Sequence, residues 1–139
     1  MAGLSDTDIA YMAGIFDGEG WVGINTSKPH GKHKSPRYSL YMGVANTYIP
    51  VLEMFAEEFG GHIKLASGKN KPCYSWRTTS HKAAHVLKVL MPYLRIKKDQ
   101  ALVAIEYVEK HCDSDRTKVL TKRILADREF YKQKIVSLR

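Results

Sequence analysis

Two acids, Asp17 and Glu19, stand either side of Gly18 at the end of the stretch Met12-Ala-Gly-Ile-Phe-Asp-Gly-Glu-Gly20. Carboxylate oxygens suit hard divalent cations such as magnesium or manganese. If the stretch is helical, its C-terminus presents carbonyls and the negative end of the helix dipole, where a carboxylate is unfavourable unless a positive charge joins it. A divalent cation would do so. Other chemistries find little support. No Ser/His/Asp or Cys/His arrangement stands out, and the six histidines lack metal-ligand spacing. His81 and His85 are four apart, but one falls in a capping turn, which favours surface positions. Cys73 and Cys112 form neither a CxxC pair nor a zinc pattern. Thiols so far apart suit a reducing compartment.

The acids need a helix to present them. Ser5-Asp-Thr-Asp8 is a capping-box pattern that opens one, from about Asp6 to Asp17. Ile9, Met12 and Phe16 fall on one face, with Ala10, Gly14 and Gly18 opposite. A helix with two buriable faces lies between two layers. One face covers its own sheet; the small-residue face admits a second helix at backbone distance. Trp21 to Thr26 and Arg37 to Ala45 alternate as strands joined by a basic loop. Pro50 to Phe59 is a helix stopped by Gly60-Gly61. His62 to Ala66 and Cys73 to Thr79 form a second hairpin. Ser80 is the expected cap of a helix from His81 to about Met91, closed by Pro92. Helices over Lys97 to His111 and Thr117 to Leu138 complete the chain.

This order is α-β-β-α-β-β-α with C-terminal helices: an α+β fold with a four-stranded antiparallel sheet and helices on one face. One domain is expected over 1–139, with a core at about 5–110 and a helical extension at 113–139. The uncovered sheet face is predicted to carry Asn25, Arg37, Ser39, Tyr41, Lys64, Ser75 and Arg77, side chains able to reach base edges and phosphates. The chain has 139 residues, 22 Lys and Arg against 14 Asp and Glu, and a net charge of +8. A small basic domain points to a polyanion partner. No signal peptide or apolar run of transmembrane length is visible. A membrane partner is therefore not expected, and the expected location is cytoplasmic or an organellar matrix.

The Met12–Gly20 segment resembles the LAGLIDADG motif of homing endonucleases, and it occurs once. The helix–hairpin–helix–hairpin order around it and the basic charge agree. The resemblance implies that motif helices pair, placing Ala10, Gly14 and Gly18 in a homodimer interface. Glu19 matches the acid that contributes to metal sites between the halves, with Gly18 offering its carbonyl; glutamate stands where the name-giving motif has aspartate. Asp17 would make structural hydrogen bonds rather than ligate. Pro92-Tyr-Leu-Arg-Ile-Lys-Lys-Asp-Gln100 resembles the family's apolar-basic segment, so Lys97, with Lys98 as alternative, matches the lysine that acts on the phosphorane or its water. Asn46 matches a water-positioning polar residue, although capping by Asn46 or Thr47 is the competing reading.

The implied activity is site-specific cleavage of double-stranded DNA by metal-dependent phosphodiester hydrolysis. The implied cofactor is magnesium, with manganese able to substitute. One motif implies a homodimer on a long pseudo-palindromic site, of the kind that mobilises introns or inteins. Lys28, Lys32, Lys34 and Arg37 in the first hairpin would extend the contact outward. Two alternatives share the fold: an RNA-binding intron-splicing cofactor (a maturase), and a DNA-binding regulator.

Overall fold

Ser5 opens the first helix as its sequence predicts: its hydroxyl accepts from the Asp8 amide at 3.1 Å. Asp8 completes only half a capping box, because its carboxylate accepts from the Ser5 hydroxyl rather than the Ser5 amide. The computed structural model describes residues 4–29, 35–67, 72–111 and 121–139. Helix α1 (Asp6–Glu19) runs directly into strand β1 (Gly20–Ser27). There follow β2 (Arg37–Asn46), α2 (Ile49–Phe59), β3 (His62–Ser67), β4 (Cys73–Thr79), α3 (Ser80–Leu90), α4 (Lys98–His111) and α5 (Lys122–Ser137). Lys32, Lys34 and Cys112 lie outside the described residues.

The four strands form one antiparallel sheet in the order β1-β2-β4-β3. Alternation assigns its faces. Val22, Ile24, Leu40, Met42, Val44 and Trp76 turn inward and are buried. Helices α1 and α3 cover β2 on this side, and α2 covers β3 and β4. Met12, Ala13 and Phe16 bring α1 into the same core. Helix α4 packs on α3, and α5 packs on α4 and along β1. The turn from α2 to β3 requires glycine: Gly60 and Gly61 have φ of 74° and 94°. The Gly60 carbonyl accepts from Trp76 Nε1 at 2.7 Å, which ties the turn to the core.

Three local expectations are corrected. Ser80 does not cap α3; it is the first helical residue, with φ of 53°, and the cap position falls to Thr79. The chain passes from β4 to α3 without a linker, and the left-handed residue makes the corner. Pro92 lies inside a 3-10 turn, Met91–Tyr93, rather than closing the helix outright. Lys97 precedes α4 instead of belonging to it, although its carbonyl accepts the Ala101 amide at 2.9 Å.

Candidate active site and nucleic-acid interface

The C-terminus of α1 has no basic residue in its last turn, so its carbonyls and two acids need partners from elsewhere. The segment after the 3-10 turn supplies them for Asp17. Asp17, 9% exposed, accepts the Arg95 amide on Oδ2 at 2.8 Å and the Lys97 amide on Oδ1 at 3.0 Å. In return Lys97 Nζ donates to the Asp17 carbonyl at 2.7 Å. An ammonium on the last carbonyls of a helix meets the negative end of its dipole. This lock holds Lys97 beside the motif across a separation of 80 residues.

Glu19 differs from Asp17 in every respect. It is exposed, and among the described residues it takes no hydrogen bond or ion pair. Gly18, one residue before it, is exposed too, and a Cβ built on Gly14 or Gly18 meets nothing within 4 Å. Gly14 and Gly18 are thus open along the side of α1 opposite Met12, Ala13 and Phe16, with Ala10 half-buried in line with them. Asn46 ends β2, two residues beyond Val44, the partner of Gly20, and so lies at the end of the sheet where α1 hands over to β1. Its Oδ1 accepts from the Tyr48 amide at 2.8 Å. It therefore forms a turn ahead of α2, whose cap position is Tyr48, and its side-chain NH2 is left over. Thr47 caps nothing.

The outer sheet face follows the strand register. Trp21, Gly23, Asn25 and Ser27 pair with Gly43, Tyr41, Ser39 and Arg37. Gly43 and Ala45 pair with Arg77 and Ser75, which pair with His62 and Lys64. None of the four strands contains an acidic residue, so nothing on this face opposes a polyanion. Asn25, Lys28, Arg37, Lys64 and Arg77 are exposed, and Ser39 and Tyr41 are half-buried. Ser75 is the exception: it occupies the expected face but is only 5% exposed, because larger neighbours shelter a small side chain in mid-sheet.

Sequence reasoning missed the contribution of the C-terminal helix. Lys132 Nζ donates to Thr26 Oγ1 at 2.9 Å, and an Arg139 Nη donates to the Val22 carbonyl at 2.9 Å on the free edge of β1. A methyl on Gly23 would meet Arg139 and the Tyr41 hydroxyl, each at 2.8 Å, so this arginine reaches the outer face. Only a helix over Thr117 to Leu138 was expected there, and a helix alone does not name the strand it docks on. The cavity of about 490 Å³ between α4 and α5, walled in part by Lys110, His111, Asp127 and Phe130, contains no motif residue.

One acid and one carbonyl cannot enclose a cation, and among the described residues no group of three His, Cys, Asp or Glu side chains could hold one. The donor set suits a divalent ion in kind, but one chain offers too few oxygens to surround it.

The chain matches the LAGLIDADG endonuclease family model over residues 12–108. It belongs to the LAGLIDADG endonuclease family. No curated protein matches it. This LAGLIDADG chain superposes on the homing endonuclease I-CvuI, solved in complex with uncleaved DNA in the presence of magnesium, with a TM-score of 0.78, 17% identity, and coverage of 96% of this chain and 82% of that one. An archaeal intron-encoded homing endonuclease complexed with DNA, I-Vdi141I, gives 0.79 at 18% identity, covering 96% and 85%. I-SmaMI, a LAGLIDADG homing endonuclease bound to cleaved DNA, gives 0.62 at 18% identity; 92% of this chain is covered but only 49% of that one. These likenesses establish the LAGLIDADG fold.

Proposed function

We propose that the chain is one half of a metal-dependent, site-specific double-strand DNA endonuclease that works as a homodimer. The observation that carries this reading is the helix α1. Its Met12–Phe16 face is buried, its Gly14–Gly18 face is open, and an unpartnered Glu19 stands at its tip. A two-fold pairing of α1 covers the open glycines and brings two Glu19 carboxylates together. I-SmaMI supports this, since the chain covers about half of it, leaving room there for a second such unit. The family and the DNA complexes of I-CvuI and I-Vdi141I support DNA as the substrate, as does the acid-free outer face.

Glu19 of each copy, with the Gly18 carbonyl, would hold magnesium or manganese. Such ions, when bound, supply an activated water and offset charge on the scissile phosphate. The residues of the chain do the rest. The outer faces of two sheets bind and orient the duplex, with Asn25, Lys28, Arg37, Ser39, Tyr41, Lys64 and Arg77 available to bases and phosphates. Lys97, fixed through the Asp17 carbonyl, retains two further N–H donors. It would act on charge that grows on the phosphate oxygens in the transition state, where a preorganised cation counts most. The spare NH2 of Asn46 would orient water.

The test is cleavage of a site selected from a randomised duplex library. Scission of both strands with magnesium, abolished by a chelator, is expected. Tight binding to structured RNA without DNA cutting would replace this reading with the splicing-cofactor one.

A further inference from the structure

On the outer face, β1 begins with Trp21, and its indole does not stand upright. A Cβ on Gly43 would lie 2.5 Å from Trp21 Cζ2 and 2.9 Å from Cε2. The ring therefore lies flat across β2. Trp21 pairs with Gly43, and Gly43 pairs with Arg77 of β4. Trp21 and Arg77 are thus two strands apart, roughly 10 Å between backbones, a gap that the indole bridges only because Gly43 has no side chain. The Arg77 guanidinium carbon sits 5.5 Å from the indole centroid, within the range of a cation–π contact. No strand carries a carboxylate that could compete. Among the described residues the guanidinium makes no hydrogen bond or ion pair.

This way of holding an arginine has a chemical consequence. A salt bridge would occupy the N–H edge of the guanidinium. A cation–π contact needs no N–H group, and among the described residues those of Arg77 are unbonded. A planar fork of free donors with a fixed orientation matches the O6 and N7 acceptors of guanine in the major groove. Trp21 is two residues from Glu19 and is the first outer-face residue of β1 after it, so the row Trp21–Gly43–Arg77 lies on the active-site side of the sheet.

We infer that Trp21 is a positioning residue that holds Arg77 across Gly43 as the reader of one guanine per half-site, close to the cleaved phosphates. This rests on the DNA reading above. Trp21 itself touches no reacting atom.

The experiment is selection of bound duplexes from a randomised library by wild type, Trp21→Leu, Trp21→Phe, Arg77→Ala and the Trp21→Leu/Arg77→Ala double variant. Arg77→Ala is expected to erase a guanine preference at one position per half-site. Trp21→Leu should weaken the same preference roughly five-fold, as loss of a cation–π contact implies, and Trp21→Phe should restore most of it. The double variant should be no worse at that position than Arg77→Ala alone. The Arg77 δ-proton resonances of the DNA-free protein, shifted by the indole ring current, should move towards ordinary values in Trp21→Leu. Core methyl resonances that keep their folded shifts in Trp21→Leu separate this change from a general loss of folding, which Trp21→Phe also controls. An even loss of affinity at all positions, or a Trp21→Leu profile as sharp as wild type, overturns the inference while leaving the endonuclease reading intact. A wild-type chain that selects no duplex overturns both.

Discussion

Asp17 and Glu19 are the same functional group two residues apart in the last turn of one helix, and the fold treats them oppositely. Asp17 is buried, with both oxygens taken by backbone amides of the segment before α4. Glu19 is exposed and takes no partner among the described residues. The inner acid is structural: through it the 95–97 segment is drawn against α1 and the Lys97 ammonium is fixed on a helix-terminal carbonyl. The outer acid is left unsatisfied where a second copy can approach. An acidic pair at a helix C-terminus therefore need not be a pair of ligands, and the hydrogen-bond partners decide which is which.

Substitutions should separate the two roles. Glu19→Gln keeps shape and removes charge. It should abolish cleavage while melting temperature and DNA affinity stay near wild type, measured by thermal unfolding and equilibrium binding; a normal cleavage rate would end the metal-site assignment. Asp17→Ala should do the reverse in the first instance. It leaves two part-buried amides unpaired and should cost about 2–4 kcal/mol of stability in denaturant unfolding. Activity should then fall because Lys97 is released.

Lys97→Ala tests the link between the two acids. Its single-turnover cleavage rate should drop by about 100-fold or more with little change in DNA affinity. Exposed Lys98, one position on, should change neither when replaced by alanine. The opposite pattern would shift the assignment by one residue.

Gly14→Leu sharpens the distinction between the covered and open faces of α1. Within a single copy the new side chain meets nothing, and replacing a helical glycine favours the helix by up to about 1 kcal/mol. The same side chain should block close helix pairing, so a folded monomer is expected by sedimentation. A dimer as tight as wild type would exclude this interface.

The smallest effect concerns the C-terminal helix, far from either acid in sequence. Hydrogen bonds from Lys110 and then His111 hold the Asp127 carboxyl below its usual value. Asp127 therefore stabilises the α4–α5 contact above the usual 3.8, and that contribution is lost as pH falls through the depressed value. Burial, aided by a hydrogen bond to Glu106, pushes Tyr131 up to about 12. Its contribution is complete below the usual 10.0 and is lost as pH rises towards about 12. Amide exchange in α5 should rise at both extremes, and ultraviolet titration should show a late-ionising tyrosine. A Tyr131→Phe variant that retains the late titration would contradict this.

The elements were legible because their signals are local. The Ser5 cap, the glycines after Phe59 and the alternation of β2 each operate within a few residues, so element order and both sheet faces could be read directly. What escaped depends on pairing at a distance. Alternation places Trp21 and Arg77 on one face, but the β1-β2-β4-β3 order puts Gly43 between them. The Asp17–Lys97 lock joins residues 80 apart; the resemblance pointed to Lys97, but no periodicity shows what holds it. Ser75 followed the pattern in direction but not in exposure, since shelter comes from neighbours on other strands.

The central claim is that one Glu19 from each of two copies builds a single composite site. Wild type and Glu19→Gln, mixed in varied ratio and allowed to exchange subunits, test it through the initial rate of total strand scission at fixed protein concentration. A shared site predicts a rate that falls with the square of the wild-type fraction, because a mixed dimer lacks half of its carboxylates. A rate that falls in simple proportion to the wild-type fraction would show that each chain cuts alone, and would contradict the account.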